Sequence, residues 1–313
     1  MTLGDRFDGF LFDLDGVVWR GEEVIPGAAQ TVARLREQGK RVVFLTNNAS
    51  RSPRQYAVKL MRMLIPTQPA DIVTSGHVVI SHLRKIGLKT GDRVHLCAAP
   101  GLAQLLRGDG LVPTSHTTGV QALVVAWNPK LTFEDIRRAA DVARADVPFV
   151  AANNDATYPG EDGLLPGSGA ILAAVEVASG RKATVVGKPK PEMVRLALER
   201  AGTEPSRTLV CGDRPETDVA GARSAGVPVA LVLTGVTLES DLASLTERPD
   251  WILRDVSELL AEQTAEASSA DPVVVADGLR RPASGAEGND EREAGDEPAD
   301  VREKGDASAP ELS

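Results

Sequence analysis

The chain carries the sequence FLFDLDG at residues 10–16, an apolar run that leads through two aspartates to a glycine. An apolar run that ends in a turn residue is typical of a strand buried in a parallel sheet. Because side chains alternate along an extended strand, Asp13 and Asp15 would project to the same side. The ligand crevice of a doubly wound sheet opens at the carboxyl ends of its strands, so this acid pair predicts the reactive end of an α/β enzyme.

The same two aspartates predict a cation. Carboxylates one residue apart, such as Asp13 and Asp15, repel each other unless a positive charge lies between them. Mg²⁺ prefers oxygen ligands, takes one or two carboxylates and completes its coordination shell with water and substrate phosphate. Mg²⁺ is therefore the expected cofactor.

The 313-residue chain has the composition of an ordinary soluble protein, with 42% hydrophobic and 25% charged residues. This length accommodates one large domain or two modest ones. No apolar run reaches the roughly 18 residues of a membrane span, and the N-terminus does not have the pattern of a signal peptide. Cys97 and Cys211 lie in apolar, strand-like contexts where buried free thiols are expected. We expect a cytoplasmic protein that binds neither a membrane nor a nucleic acid.

The negative charge of the chain is concentrated at its C-terminal end. Residues 263–313 contain 13 acidic and five basic residues, a net charge of −8, whereas the whole chain carries −9. This segment has no aromatic residue, and apart from PVVV at residues 272–275 it cannot bury enough apolar surface to offset the entropy of ordering. We predict a disordered acidic tail that serves as a solubilising extension or, alternatively, binds a partner or regulates the protein.

The rest of the chain alternates strand-like and helix-like segments, as a parallel α/β fold requires. Residues 26–38 have helical spacing, and residues 41–45 form a second apolar strand that ends in TNN at residues 46–48. Small polar side chains between a strand and the next helix suit the capture of an anion by a hydroxyl and backbone N–H groups. The structural alternative is an Asn-rich turn or a helix cap.

Two later strands also end in charged side chains. The strand at residues 184–186 precedes Lys188, which is placed to neutralise a phosphate, although most lysines are solvated surface charges. The strand at residues 207–212 ends in Asp213, and Asp218 follows in the next helical segment, where an acid can also interact favourably with the helix dipole. Acidic, amide and basic side chains thus follow separate strands of one predicted sheet.

This order of side chains resembles the haloacid dehalogenase superfamily of aspartate-nucleophile phosphatases. The four motifs of the family match DLDG at residues 13–16, TNN at 46–48, the lysine of GKP at 187–189 and GDRPETD at 212–218. As a set they are highly specific. Their forms are similar to class IIA, the branch with 4-nitrophenyl phosphate, phosphoglycolate/glycerol-3-phosphate and pyridoxal-phosphate phosphatases. The similarity covers most of residues 7–262.

The resemblance implies an α/β fold in which a doubly wound, Rossmann-like parallel sheet forms the catalytic core. Residues 1–87 and 183–262 would form this core, and residues 88–182, about 95 residues, would form an inserted α/β cap domain. A domain inserted over a crevice can exclude water and contact the substrate. The resemblance also implies a homodimer formed through the cap.

The cap contains a segment, NNDATYP at residues 153–159, that resembles the specificity loop of the family. Asp155 and Tyr158 are therefore candidate specificity residues. Tyr158 stands where the pyridoxal-phosphate phosphatases have a histidine, which argues against a vitamin B6 substrate. The following GSG at residues 167–169 is interpreted as the entry to a helix, since no GxGxxG fingerprint follows the first strand.

The resemblance assigns a role to each matching position. Asp13 would attack phosphorus to form an aspartyl-phosphate, and Asp15 would act first as general acid and then as general base. Residues of two motifs would bind the phosphate and substrate: Thr46, Asn47, Asn48 and Lys188. Four aspartates would hold or support the metal ion: Asp13, Asp15 through its main-chain carbonyl, Asp213 and Asp218.

These roles predict Mg²⁺-dependent hydrolysis of a small phosphorylated metabolite. Glycerol 3-phosphate and 2-phosphoglycolate are the preferred substrates by resemblance, with nucleotide monophosphates and sugar phosphates as alternatives. A phosphomutase of the same superfamily would share both aspartates and the metal. A receiver domain of a response regulator also groups acids, Thr and Lys around Mg²⁺, but it is a single domain of about 120 residues, so the inserted cap argues against it.

Overall fold

A computed structural model describes residues 1–160, 163–262 and 273–274, which belong to one compact unit, Met1–Asp277. The strands are β1 (Gly9–Asp13), β2 (Trp19–Arg20), β3 (Glu23–Val24), β4 (Arg41–Thr46), β5 (Ile72–Thr74), β6 (Arg93–Cys97), β7 (Val112–Thr114), β8 (Ala122–Val125), β9 (Phe149–Ala151), β10 (Thr157–Gly160), β11 (Gly163–Pro166), β12 (Thr184–Val185), β13 (Thr208–Gly212), β14 (Val229–Val232), β15 (Trp251–Leu253) and β16 (Val273–Val274). The α-helices are α1 (Ala28–Glu37), α2 (Pro53–Arg62), α3 (Ser75–Lys85), α4 (Pro100–Gly108), α5 (Phe133–Arg144), α6 (Ser168–Ser179), α7 (Glu192–Ala201) and α8 (Ala220–Ala225).

The first strand, β1, lies inside a seven-stranded parallel sheet with the order β16-β15-β14-β13-β1-β4-β5. The chain builds this sheet outward from β1 to β4 and β5 on one side, and later fills the other side from β13 onward. A doubly wound sheet opens its ligand crevice where the strand order reverses, here at β1. The predicted fold class is confirmed.

The residues of β1 and β4 alternate between the two faces of this sheet. Leu11 and Val43 belong to one hydrophobic cluster, and Phe10, Phe12 and Phe44 belong to another. All five side chains are fully buried. Continuous apolar strands of this kind are stable only when both faces of the sheet are covered, so the helices on either face are required by the sequence of the strands.

A second parallel sheet, with the order β12-β9-β8-β6-β7, is formed by residues between 93 and 185. Helices α5 and α6 contribute Val142 and Leu172 to the hydrophobic cluster that packs on β8 and β9. The strand β12 pairs here, Thr184 with Val150, although the predicted boundary at residue 183 assigns it to the catalytic core. A strand of only two residues has no local sequence pattern that indicates which sheet it joins, because long-range pairing determines the sheet.

An antiparallel hairpin of β10 and β11 connects β9 to α6, with Thr157 opposite Pro166. The predicted specificity segment, residues 153–159, leads into this hairpin, and α6 begins at Ser168, where the GSG run predicted a helix entry. The loop is thus anchored at both ends by regular structure.

Three further expectations from the sequence concern the two cysteines, the acidic tail and membrane-spanning helices. Cys97 and Cys211 are buried free thiols, as predicted. Within the segment predicted to be a disordered tail, Val273–Val274 form the edge strand β16. These residues belong to the PVVV run, which was excepted from that prediction. The remainder of residues 263–313 lies outside the described residues. Among the helices that the structure describes, none is long and apolar enough to cross a membrane.

Truncation of the buried aromatic face of the first sheet tests this packing. Phe44 has 0% exposure and lies 6.3 Å from Phe12, measured between ring centroids, so Phe44→Ala is expected to lower the free energy of unfolding by about 3–5 kcal/mol. The matched control is Phe133→Ala, since Phe133 is 83% exposed and its loss should change that free energy by less than about 0.5 kcal/mol. Urea denaturation measures both; equal losses would contradict the packing described.

Candidate active site

A cavity of about 40 Å³ lies at the carboxyl ends of β1, β4 and β13. The residues that line it include every predicted site residue: Asp13, Asp15, Thr46, Asn47, Asn48, Asp155, Tyr158, Lys188, Asp213 and Asp218. Three lining residues were not predicted: Thr157, Arg214 and Thr217. Since one water requires about 10–15 Å³, the cavity has room for about three waters. It is a small polar site. Residues 153–160 and 163–166, which we call the hairpin segment, bound it on one side.

Three buried carboxyl groups form the floor of this cavity. Asp13 ends β1 with 7% exposure, Asp213 follows β13 with 1%, and Asp218 lies in a π-helical turn with 2%. Burial raises the pKa of Asp13 well above its usual value; Lys188 opposes this rise, and the carboxylates of Asp218 and Asp213 add to it. Burial, together with Asp218, also raises the pKa of Asp213 to about 7. The cluster is short of positive charge.

Lys188 supplies the positive charge at the centre of the cluster. Its Nζ donates to Asp13 Oδ1 and, at 2.5 Å, to Asp218 Oδ1. Burial alone would lower the pKa of Lys188, but the two carboxylates raise it above its usual value, so the side chain remains an ammonium. If all three aspartates are ionised, one ammonium against three carboxylates leaves two negative charges without a partner among these four groups.

The donor set of this cluster fits a hard divalent cation. Among the described residues, no three Asp, Glu, His or Cys side chains enclose a metal ion by themselves. Mg²⁺ does not require such a cage, because it is bound in proteins through one or two carboxylates and keeps several waters. Asp13 and Asp213, with the main-chain carbonyl of Asp15, could hold it, and its charge would relieve the repulsion between the buried acids.

Two glycines form a close wall around Asp213. A Cβ atom at Gly235 would lie 1.9 Å from Asp213 Oδ2, and one at Gly16 would lie 2.5 Å from the same oxygen. Gly16 also has a positive φ of 89°, which L side chains rarely adopt. The other carboxylate contacts come from the backbone: Val236 N–H donates to Asp213 Oδ2 at 2.8 Å. The position of this carboxylate is therefore fixed by backbone.

The TNN segment forms a turn that hydrogen bonds hold in place. Asn48 N–H donates to Thr46 Oγ1 at 3.0 Å, and Tyr56 donates its hydroxyl to the Asn48 carbonyl at 2.9 Å. Helix α2 starts five residues after Asn48, at Pro53, with a capping box between Ser52 and Gln55. This segment is therefore a turn near a helix cap, as the structural alternative predicted, and it also lines the site.

Asn47 connects three parts of the site. Its Oδ1 accepts the backbone N–H of Lys188 at 2.9 Å, and its Nδ2 donates to both carboxylate oxygens of Asp155 at 3.1 and 3.2 Å. The Asn47 carbonyl in turn accepts from Asn153 Nδ2 at 2.6 Å. Its predicted role in phosphate binding stays a prediction, because in this structure the side-chain amide is committed to protein groups that join the core to the hairpin segment.

Asp15 is held by donors on two sides. Trp19 Nε1 donates to Asp15 Oδ1 at 2.8 Å, and the Tyr158 hydroxyl donates to the same oxygen at 2.9 Å. Nearby, Arg214 Nη2 donates to the Thr157 carbonyl at 3.2 Å, a second contact between the core and the hairpin segment. The predicted specificity residue Tyr158 therefore contacts the predicted general acid directly. Trp19 was not among the predicted site residues, because it is not part of the pattern of polar strand ends. Arg214 lies within the matched GDRPETD motif, although no role was predicted for it.

Comparison with known proteins identifies the class to which this fold and site belong. Residues 10–112 match the haloacid dehalogenase-like hydrolase family, and residues 185–259 match an HAD-hydrolase-like family. The chain belongs to the haloacid dehalogenase-like hydrolases. Between these two matches lie most of the second sheet and the hairpin.

Individual relatives narrow the class. The chain is 32% identical to phosphoglycolate phosphatase 2 of Arabidopsis thaliana over 83% of this chain and 94% of the relative. It is 31% identical to the acid sugar phosphatase of Staphylococcus aureus, covering 82% and 98%. The solved structure of glycerol phosphate phosphatase from Mycobacterium tuberculosis in complex with magnesium is similar at 35% identity and a TM-score of 0.76, covering 83% and 78%. The chain is a phosphoric monoester hydrolase of the class IIA type.

Removal of the central ammonium tests the charge balance of the site. Lys188→Met leaves buried acids without their cation, which costs about 3–5 kcal/mol, and the midpoint of thermal unfolding in EDTA should fall by roughly 6–20 °C. The control is Lys182→Met, because Lys182 is 84% exposed in its pair with Glu176 and should contribute about 0–1 kcal/mol. A shift for Lys188→Met no larger than that of the control would contradict the assigned role.

Proposed function

We propose that this chain hydrolyses small phosphomonoesters through an aspartyl-phosphate on Asp13, with Mg²⁺ as its cofactor. The observation that carries the proposal is the grouping of a buried carboxylate, Asp13, with the Lys188 ammonium and a second, independently held acid, Asp15, in one cavity. A binding module would have no use for a second acid beside the first. The magnesium complex of the Mycobacterium tuberculosis relative supports the choice of metal.

The first step transfers the phosphoryl group to the protein. The Asp13 carboxylate forms a bond to phosphorus while the bond from phosphorus to the leaving oxygen breaks. Asp15 gives its proton to that oxygen, so the product leaves as a neutral alcohol. Asp13 is the residue at the end of the first strand, and β1 is hydrogen-bonded to a strand on each side, so the nucleophile has little freedom to move.

The second step returns the protein to its starting state. Asp15, now a carboxylate, takes a proton from a water that attacks phosphorus, and the bond between phosphorus and the Asp13 oxygen breaks. Inorganic phosphate leaves, and Asp13 is again a carboxylate. One acid thus serves both steps, which requires it to remain in the same place throughout.

The charges around Asp13 determine whether an anionic phosphate can approach it. Lys188 lies within contact of Asp13 and stabilises the phosphoryl oxygens as charge shifts during transfer, and the Thr46 hydroxyl supplies a further donor. When bound by Asp13, Asp213 and the Asp15 carbonyl, Mg²⁺ supplies the charge that offsets repulsion between the nucleophile and the phosphate. Asp218 holds Lys188 and accepts the Arg214 backbone N–H at 3.1 Å, a supporting position.

Small substrates fit this site best, with glycerol 3-phosphate and 2-phosphoglycolate as our preferred choices. Asp155, Thr157 and Tyr158 line one side of the cavity, so a bulky leaving group would contact them. The named relatives support the same class, since they are phosphatases of phosphoglycolate, acid sugar and glycerol phosphate type. Arg214 lies among the lining residues and could pair with a carboxylate on the leaving group.

Loss of the nucleophile tests the mechanism. Asp13→Asn should abolish Mg²⁺-dependent release of inorganic phosphate from a panel of phosphomonoesters, because the amide is a poor nucleophile. EDTA should abolish release by the wild type, and added Mg²⁺ should restore it. The control is Asp146→Asn, since Asp146 has a side-chain exposure of 89% and pairs in the turn after α5 with Arg181, and neither residue lines the cavity. Full activity of Asp13→Asn would refute the mechanism.

The products and preferred substrate of the panel test the rest of the proposal. We expect wild-type kcat/KM to be highest for glycerol 3-phosphate or 2-phosphoglycolate and at least about tenfold lower for nucleotide monophosphates, whose bulky leaving groups require the hairpin segment to move. Phosphate release is measured beside chromatography of the organic products. Transfer of phosphate to a second sugar without release of inorganic phosphate would instead indicate a phosphomutase.

A further inference from the structure

Asp15 has an asymmetric set of hydrogen bonds that the reaction scheme leaves unused. Both Trp19 Nε1, at 2.8 Å, and the Tyr158 hydroxyl, at 2.9 Å, donate to Oδ1. Within the described residues, no protein group donates to Oδ2 of this carboxyl group. One oxygen of the acid is saturated with donors, and the other is available.

This asymmetry determines where a proton resides on Asp15. A protonated carboxyl group carries its hydrogen on one oxygen, and the other oxygen remains an acceptor. A hydrogen on Oδ1 would compete with two donors that already occupy its lone pairs, and one of those donors would lose its partner at a cost of about 1–3 kcal/mol. Oδ2 is therefore the oxygen that carries the proton.

The two donors belong to different parts of the molecule. Trp19 has 0% exposure, stacks on Tyr56 at 6.2 Å between ring centroids, and has Lys59 Nζ 4.3 Å from its own centroid. Tyr158 belongs to the hairpin strand β10, and its ring lies 4.7 Å from that of Trp127. Trp127 Nε1 donates to the Pro166 carbonyl at 3.0 Å, which fixes this aromatic pair on the hairpin. The first donor is thus built into the core, and the second depends on the hairpin position.

We propose that Tyr158 is a positioning residue for the general acid: with Trp19 it fixes Asp15 so that Oδ2 carries the proton for the leaving oxygen, and it does so only when the hairpin segment lies over the site. The inference rests on the proposed function. It makes Tyr158 a part of the acid machinery rather than a residue that selects the substrate by contact.

The test uses leaving groups that differ in their need for a proton. An alkoxide leaving group must be protonated as it departs, whereas 4-nitrophenolate is stable as an anion and departs without an acid. The parameter is kcat/KM, which reports the steps up to release of the alcohol and is insensitive to the later hydrolysis of the intermediate. The two probes are 4-nitrophenyl phosphate and the alkyl phosphomonoester of the panel that the wild type hydrolyses fastest.

Tyr158→Phe removes the hydroxyl and keeps the ring that packs on Trp127. We expect kcat/KM for the alkyl ester to fall by about tenfold, a fraction of the 10²–10⁴ that general acid catalysis supplies, and kcat/KM for 4-nitrophenyl phosphate to stay within about twofold. Asp15→Asn should show the same selectivity with a larger loss. The double variant should lose no more than Asp15→Asn alone, because the hydroxyl acts through that acid.

The matched control is Tyr56→Phe, which removes a hydroxyl from the same aromatic cluster. Tyr56 donates to the Asn48 carbonyl rather than to Asp15, so the ratio of kcat/KM between the two probes should stay at the wild-type value. A changed ratio in Tyr56→Phe as large as that in Tyr158→Phe would show a general effect of the cluster and would overturn the proposal.

Other outcomes separate this proposal from the proposed function. Equal loss of kcat/KM on both probes in Tyr158→Phe, no loss on either, or further loss in the double variant would overturn the positioning role while leaving the phosphatase reaction intact. Failure of the wild type to release phosphate from either probe would overturn the proposed function and this inference with it. Circular dichroism and the midpoint of thermal unfolding show that each variant is folded before its rates are compared.

Discussion

The arrangement of the site depends on one buried ion cluster, in which the Lys188 ammonium lies between Asp13 and Asp218. The residues come from the end of the first strand, the segment after the second sheet and the turn after β13. Burial of charged groups is costly unless they are paired, so none of these segments can move away without leaving a buried charge unpartnered. The cluster therefore fixes three distant stretches of chain relative to one another, and the excess of acid within it is the reason that a divalent cation suits the site.

The topology of the sheet explains why these groups meet. Parallel strands end at the same edge, and the strand order reverses at β1, so the segments after β1, β4 and β13 converge at one crevice. Asn47 uses the same convergence, since its side chain joins the end of β4 to the backbone of Lys188. Glycine at positions 16 and 235 permits the backbone to approach Asp213 where no other residue has room. The strands determine where the site residues lie, and the turns after the strands make the close contacts between them.

The positions of the strand ends could be predicted from the sequence, because each has two signals: an apolar run and the polar side chain that follows it. Asp213 and Lys188 could be placed in one site on that basis, and the structure brings them to one cavity. Trp19 could not be assigned to the site, because a buried tryptophan is normally interpreted as a core residue. Its hydrogen bond to Asp15 depends on a turn that has no polar sequence pattern. The sequence does not reveal which sheet β12 joins for a related reason: pairing is a long-range property, and two residues carry too little pattern to indicate it.

The hairpin segment holds its position through polar contacts with the core, among them Asp155 with Asn47, Thr157 with Arg214 and Tyr158 with Asp15. Each of these bonds includes a charged group and replaces a bond that water could make, so its net contribution is about 1.5–3 kcal/mol. A segment held in this way orders the core groups that it contacts, and water can replace its partners if it moves. The ion cluster beneath it is buried, so its charged groups cannot exchange their partners for water unless the core opens. The groups around Asp13 are therefore held more rigidly than the hairpin segment above them.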